Sequence, residues 1–154
     1  MAVIFDMKNY RFSFNVWGML LFLAIMLPNL IWFFVPASND ILRSDSVTPN
    51  IDMIASICQV LMTAALCVII NQKSKKISFS LLTVSTIICY LLYYASWIFY
   101  YIGAVNVIVI LGLTILPCLA FLFFALDRRN FFALVFASVF TILHLIYSLV
   151  NHIV

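Results

Sequence analysis

The sequence predicts an all-α membrane protein: a polytopic bundle of five transmembrane helices, with the N-terminus in the cytoplasm and the C-terminus outside. Three observations lead to this prediction: five long apolar runs, short polar segments between them, and basic residues confined to alternate segments. Hydrophobic residues make up 67% of the 154 residues and charged residues only 8%, a composition that no soluble fold hides from water. We therefore expect residues 1–154 to form a single transmembrane domain embedded in a lipid bilayer.

The apolar runs have the length that crossing a bilayer requires. A transmembrane helix needs about 20 apolar residues, because the hydrocarbon layer is about 30 Å thick and each residue rises about 1.5 Å. The predicted spans are 14–35, 51–70, 77–102, 105–126 and 131–150. The segment 36–50, bracketed by two prolines, is predicted as an external loop made of turns. The connection at Gly103 is so short that spans three and four must be antiparallel neighbours.

Basic residues indicate the orientation, since lysine and arginine accumulate on the cytoplasmic side of short loops. They are Lys8 and Arg11 before span one, Lys73, Lys75 and Lys76 between spans two and three, and Arg128 and Arg129 between spans four and five. With five spans all three groups fall on one side, and this side is the cytoplasmic one if the N-terminus is inside and the C-terminus outside. We expect the protein to lie in a bacterial cytoplasmic membrane, and its net charge of +3 gives no indication of nucleic-acid binding.

Groups suited to catalysis or metal binding are scarce. The chain has no glutamate, and its four cysteines, Cys58, Cys67, Cys89 and Cys118, lie inside apolar runs without a CxxC pair. Such cysteines behave as small buried apolar residues. We therefore expect no enzymatic activity, no cofactor and no metal site.

Span two carries a polar stripe. Asp52, Ser56, Gln59 and Thr63 follow the spacing i, i+4, i+7 and i+11, which places them on one helix face. Small polar residues often mediate packing between membrane helices, and this interpretation accounts for the serine and the threonine. It accounts less well for Gln59, because an amide in hydrocarbon needs several hydrogen-bond partners. The stripe is either a packing seam or the lining of a cavity.

The other spans also hold polar or aromatic residues. His144 is the ionisable residue well inside a span, which indicates either a functional site or a neutral imidazole bonded to a neighbouring hydroxyl. Trp97 lies near the end of span three, where an interfacial aromatic belt is the default interpretation, but Tyr90 and Tyr93 lie deeper. Pro28 removes a helical hydrogen bond and should leave the carbonyl near residue 24 free for another donor.

With the predicted orientation, these residues from four spans fall in the outer half of the membrane. Independent packing seams have no reason to favour one leaflet, so we expect a pocket that opens outward, is closed inward and lies beneath loop 36–50. The candidate ligand-binding residues are Asn29, Trp32, Gln59, Tyr90, Tyr93, Tyr94, Trp97, His144 and Tyr147.

The layout resembles that of the translocator/tryptophan-rich sensory family, which is similarly short and has five spans with a long loop after the first. The stretch 46–49, Ser-Val-Thr-Pro, is similar to the Trp-x-Pro-Pro that begins the second span in that family, without the tryptophan and the second proline. The resemblance implies a loop that covers a pocket for porphyrins and other apolar ligands. Function does not follow from such a layout alone.

Two functions are compatible with the sequence. One is binding or transport of a small, largely apolar ligand in an aromatic-lined pocket. The alternative is a non-catalytic accessory, immunity or assembly subunit, whose polar stripes pack against another membrane protein or a second copy of the chain. The two are distinguished by whether the polar residues of spans two, three and five face one another or face outward.

Overall fold

Five helices account for most of the chain that the computed structural model describes, which is residues 7–74 and 79–153. They are α1 (Val16–Phe34), α2 (Pro49–Val68), α3 (Leu81–Tyr101), α4 (Val107–Asp127) and α5 (Phe131–His152). Short 3-10 helices occupy Met7–Asn9 and Ile41–Arg43, and two short strands are β1 (Tyr10–Phe12) and β2 (Ile69–Asn71). The expectations for Lys75, Lys76 and the first residues of span three lie outside the described residues.

Polar side chains begin four of the helices by accepting a backbone N–H of the first turn. They are Asn15 for α1, Ser80 for α3, Asn106 for α4 and Asn130 for α5. At α2, Pro49 occupies the first helical positions and Thr48 makes no side-chain cap. The hydroxyl of Thr48 instead accepts a hydrogen bond of 2.7 Å from Asn151, which ties the start of α2 to the end of α5.

Each of the five helices is long and apolar enough to cross a membrane, with 19 to 22 residues. Large apolar side chains such as Leu23, Val60, Leu91 and Ile142 are exposed on the outside of the bundle. A continuous apolar exterior of this extent needs lipid rather than water around it. The prediction of five helices, each long and apolar enough to cross a membrane, is confirmed. The helix ends differ from the predicted ones by a few residues.

Helix α4 is the most buried helix and packs against α3 and α5, while α2 packs along α5. The turn between α3 and α4 is as short as predicted, and Gly103 adopts a φ of 87°, which favours glycine. Helix α1 packs less extensively and approaches α2 at Gly18, where an added Cβ would lie 2.5 Å from the carbonyl oxygen of Leu66. Glycine therefore sets the distance between α1 and α2.

A two-stranded antiparallel ribbon was not foreseen from the sequence. In it Tyr10 lies opposite Asn71, and Phe12 lies opposite Ile69. Span two was predicted as helix to residue 70, but α2 ends at Val68 and the chain continues as β2. The pairing satisfies backbone groups at the helix end that a loop would have to satisfy with water.

The ribbon joins the basic segments at one end of the bundle. The Tyr10 hydroxyl donates to the carbonyl oxygen of Arg129 at 2.9 Å, and the Asn71 amide donates to the same oxygen at 3.0 Å. The buried amide of Asn130 donates to the carbonyl oxygens of Ala65 and Ile69, both at 2.8 Å. The basic residues 8, 11, 73, 128 and 129 therefore share the end opposite to loop 36–48.

Candidate functional site

A cavity of about 350 Å³ lies inside the bundle, and all five helices contribute to its wall. Its polar lining comes from Asn29 of α1, Asp52, Ser56 and Gln59 of α2, Tyr93 of α3 and His144 of α5. Apolar side chains, among them Leu113, Phe121 and Phe140, complete the wall. Polar residues of α2 thus share one cavity with His144 of α5.

The structure brings together five of the nine candidate residues predicted from the sequence. Those that line the cavity are Asn29, Trp32, Gln59, Tyr93 and His144. The other four, Tyr90, Tyr94, Trp97 and Tyr147, lie outside its wall. The aromatic residues of α3 span a wider arc of the helix than the cavity covers, since neighbouring positions are about 100° apart around a helix.

Asn29 and Tyr93 form the polar wall on the side of α1 and α3. The Asn29 amide donates to the Tyr93 hydroxyl at 2.8 Å and to the carbonyl oxygen of Ile25 at 3.1 Å. The Tyr93 hydroxyl lies 3.2 Å from the same carbonyl oxygen and donates to it. Tyr93 is only 1% exposed, so this network fixes its ring as a rigid part of the wall.

Three polar side chains at the cavity are left largely without protein partners. Among the described residues, the Gln59 amide has one hydrogen-bond partner, the sulfur of Met26 at 3.7 Å. Asp52 and His144 make no hydrogen bond or ion pair with the described part of the chain. The His144 ring is stacked between Phe140 and Tyr147, with centroid distances of 5.0 and 6.3 Å. Gln59 and His144 are half-buried and need partners inside a membrane, whereas Asp52 is exposed at the loop end, so the cavity offers sites for water or for a ligand.

The rest of the α2 stripe leaves the cavity. Thr63 and Cys67 line a separate groove that also contains Gln59 and Met26. The buried hydroxyl of Thr63 has no hydrogen-bond partner among the described residues. The stripe is therefore neither wholly a packing seam nor wholly a cavity lining: its residues from Asp52 to Gln59 line the cavity, and those beyond it do not.

Tyr94 has a structural role that the proline in α1 explains. Pro28 lacks an N–H, so the carbonyl of Ala24 loses its helical donor. The Tyr94 hydroxyl donates to this oxygen at 2.7 Å, so the carbonyl that the sequence predicted to be free takes a donor from a neighbouring helix. Tyr90 packs on Tyr94 at a centroid distance of 4.6 Å and lines a groove of about 500 Å³ between α1 and α3.

Trp97 is buried rather than part of an interfacial belt. Its side chain is 5% exposed, and its ring lies 6.3 Å from Trp32 and 5.7 Å from Tyr100. The belt interpretation was therefore wrong for Trp97, and Tyr100 beside it is also fully buried. The Trp97 ring packs on Trp32, whose indole reaches the cavity.

Sequence reasoning missed Asp40 as the residue that organises the loop over the site. Its carboxylate accepts hydrogen bonds from the Trp32 indole at 2.9 Å, from the Tyr100 hydroxyl at 2.7 Å and from the Arg43 guanidinium at 2.8 Å. Arg43 also donates to the carbonyl oxygens of Trp32 and Phe33 and lies 4.8 Å over the Trp32 ring. The loop is thereby fastened to the ends of α1 and α3, above the cavity.

These contacts set the charge state of Asp40. Burial by itself raises the pKa of the carboxyl, but hydrogen bonds from Trp32, Tyr100 and Arg43 and the positive charge of Arg43 outweigh it. The pKa therefore lies below its ordinary value of 3.8, and the carboxylate is ionised at neutral pH. The spacing of Asp40 and Arg43, three residues apart, was a sequence signal for their ion pair. Tyr100 lies 60 residues from Asp40, so no sequence pattern indicated their contact.

Comparison of the chain with family models, with curated proteins and with solved structures finds no match. The layout shared with the translocator/tryptophan-rich sensory family stays a prediction. The function has to be argued from the cavity and its chemistry.

Proposed function

We propose that this membrane protein binds or transports a small, largely apolar molecule that carries a polar group, and that it does so without catalysing a reaction. One observation carries the proposal: Asp52, Gln59 and His144 meet at one internal cavity, and the described protein offers them almost no partners. A bound molecule with one polar end supplies what these side chains lack.

The dimensions and the walls of the cavity support this function. Its volume of about 350 Å³ lies within the range of about 300–1,000 Å³ that is usual for small-molecule sites. Phe121, Phe140 and Leu113 offer contact to an apolar body, and the Trp32 ring adds an aromatic surface. The Asn29–Tyr93 network holds one wall rigid, which lowers the entropic cost of binding.

The distribution of charge supports access from the outer side of a bacterial cytoplasmic membrane. The basic segments share the ribbon end, which the positive-inside rule assigns to the cytoplasm. On α2, the cavity lining begins at Asp52, in the first turn beside the loop. It ends at Gln59, so no residue of α2 nearer to the ribbon end lines the cavity. Thr63 and Thr86 line side grooves instead, which agrees with a pocket closed on the inner side.

The alternative is an accessory, immunity or assembly subunit, and the loose packing of α1 favours it. The groove between α1 and α3 is almost entirely apolar and has a volume of about 500 Å³. Leu20 of α1 and Ile87 of α3 are exposed along it. A helix of another membrane protein, or of a second copy, would fill such a groove by side-chain packing.

Native mass spectrometry of the protein released from a mild detergent tests the binding function. We expect the native chain to carry an additional small-molecule mass. Ser56→Phe places a ring in the cavity and should remove that mass, whereas Ser138→Phe, an equal change at an exposed position of α5, should retain it. A chain that carries no added mass, or loses it equally in both variants, contradicts the cavity as a binding site.

A further inference from the structure

We propose that the ligand is an amphipathic amine: a molecule with a positively charged amino group that pairs with Asp52 and an apolar body that occupies the cavity. This inference rests on the proposed function and names the chemical class that the cavity selects. It starts from the placement of Asp52, which lines the cavity and is exposed at the loop end of the bundle.

Asp52 supplies a formal negative charge, and no lysine or arginine of the described residues pairs with it; His144 is the cavity side chain that interacts with this charge electrostatically. Arg43, the basic residue of the adjoining loop, is already bound to Asp40 and to two backbone carbonyl oxygens. The described lysines and other arginines lie at the ribbon end or in segments next to it. A carboxylate in this position attracts a cation and repels an anion.

The surroundings of Asp52 carry the same sign of charge. Residues 36–52 contain three aspartates against one arginine, while the opposite end of the bundle is basic. A mouth with excess negative charge raises the local concentration of cationic molecules and speeds their association. Charge at the mouth and charge at the lining thus favour the same class of ligand.

The remaining polar lining suits an ammonium group. An ammonium has N–H donors and no acceptor, so it requires oxygen atoms around it. The side-chain amides of Asn29 and Gln59 use their N–H groups on Ile25, Tyr93 and Met26, which leaves their oxygens as acceptors. The indole N–H of Trp32 is held by Asp40, so it is not offered to an anionic ligand.

Aromatic rings complete a site for a cation with an apolar body. Tyr93 and Phe140 line the cavity, and aromatic faces attract ammonium groups. Trp32 also lines it, but one face of its ring is already covered by the Arg43 guanidinium. Asp52 and Gln59 are two helical turns apart, which is about 10 Å at 1.5 Å per residue. An amine at the level of Asp52 therefore leaves room for a body of one fused ring system, down to the level of Gln59.

Equilibrium dialysis of the full chain in a mild detergent tests the inference with three probes of one shape. Naphthylmethylamine, naphthylmethanol and naphthoate carry a positive, a neutral and a negative group at neutral pH. Protein-free micelles on the other side of the dialysis membrane correct for partitioning of the probes into detergent. The variants are Asp52→Asn, Ser56→Phe and, as a matched control, Asp45→Asn, which removes the same charge from an exposed loop position outside the cavity.

We expect the native chain to bind the amine at least about tenfold more tightly than the alcohol, and naphthoate most weakly. Asp52→Asn should remove the preference for the amine while binding of the alcohol persists, which shows that the variant is folded. Asp45→Asn should keep the preference. Equal affinities for the three probes, with all binding lost in Ser56→Phe, overturn the amine inference but leave the binding function intact. If no probe binds, or if Ser56→Phe leaves the binding unchanged, both the amine inference and the binding function are overturned.

Discussion

Replacing Asp40 with asparagine should loosen the loop above the cavity and destabilise the protein. In the native chain, one carboxylate oxygen accepts from Trp32 and Tyr100, and the other accepts from Trp32 and Arg43. Asparagine keeps one acceptor oxygen but replaces the other with an NH₂ group, which cannot accept. It also removes the charge that strengthens every bond in the cluster.

The magnitude follows from the two kinds of bond. A hydrogen bond to a charged group contributes about 1.5–3 kcal/mol and a neutral one about 1 kcal/mol, so the bonds from Trp32 and Tyr100 each lose part of their strength. The Arg43 pair is partly exposed, with 40% of the arginine side chain accessible, and contributes at most about 1 kcal/mol. We expect a total loss of about 2–4 kcal/mol in the free energy of unfolding.

Reversible unfolding by SDS in mixed micelles, followed by circular dichroism, measures this loss. Asp45→Asn is the matched control, because Asp45 is exposed in the same loop, and it should change stability by less than about 0.5 kcal/mol. If Asp40→Asn is as stable as the control variant, the loop is not held by the carboxylate, and the reasoning is refuted.

The same carboxylate predicts a dependence on pH. The pKa of Asp40 in the folded protein lies below its ordinary value of 3.8, because the hydrogen bonds and the charge of Arg43 outweigh burial. Its stabilising effect is therefore complete above about pH 5 and is lost as the pH falls through the folded pKa. The native chain should lose stability on acidification below about pH 4. Asp40→Asn should lack that part of the loss, and identical acid profiles would contradict the assignment.

Three further predictions follow from the bundle. Gly18→Ala should lower the free energy of unfolding by about 1–3 kcal/mol, because the new methyl group meets the α2 backbone and forces α1 away; SDS unfolding measures it. Tyr94→Phe should cost about 1–2 kcal/mol in the same assay, since it leaves a carbonyl oxygen of α1 without a donor; no change would mean that water replaces the hydroxyl. Single cysteines at Ser44 and Ser74, with the native cysteines removed, test the proposed orientation with an impermeant thiol reagent. The cysteine at position 44 should react in intact cells, and the one at position 74 only after lysis. Equal labelling of the two would overturn the orientation.

The helices were predictable from the sequence because bilayer thickness sets their length and composition. The ribbon was not, since Tyr10 and Asn71 pair across more than sixty residues and strands of three residues leave almost no periodicity. The end of span two was misplaced for the same reason: Ile69 and Ile70 are as apolar as a helix interior, and their strand conformation depends on β1.

The cavity was predictable only in part. Helical spacing and depth identified Asn29, Gln59 and His144, because polar side chains inside a span must face the interior of the bundle. Depth alone does not tell which interior surface a residue meets, so Tyr90 and Tyr94 were grouped with Tyr93. Tyr90 instead lines the groove between α1 and α3, and Tyr94 bonds the Ala24 carbonyl oxygen. The contribution of Asp40 depends on contacts with two helix ends and had no local pattern.

Reactivity of a cysteine at position 56 tests the central claim most directly, since Ser56 lines the cavity. The Ser56→Cys variant, in a background without the native cysteines, is treated in intact cells with an impermeant thiol reagent and then analysed by native mass spectrometry. We expect modification without lysis and loss of any retained small molecule, while Ser138→Cys on the exposed face of α5 stays unmodified. Modification of Ser56→Cys only after lysis, or modification that leaves the small molecule bound, would contradict an outward-facing binding cavity.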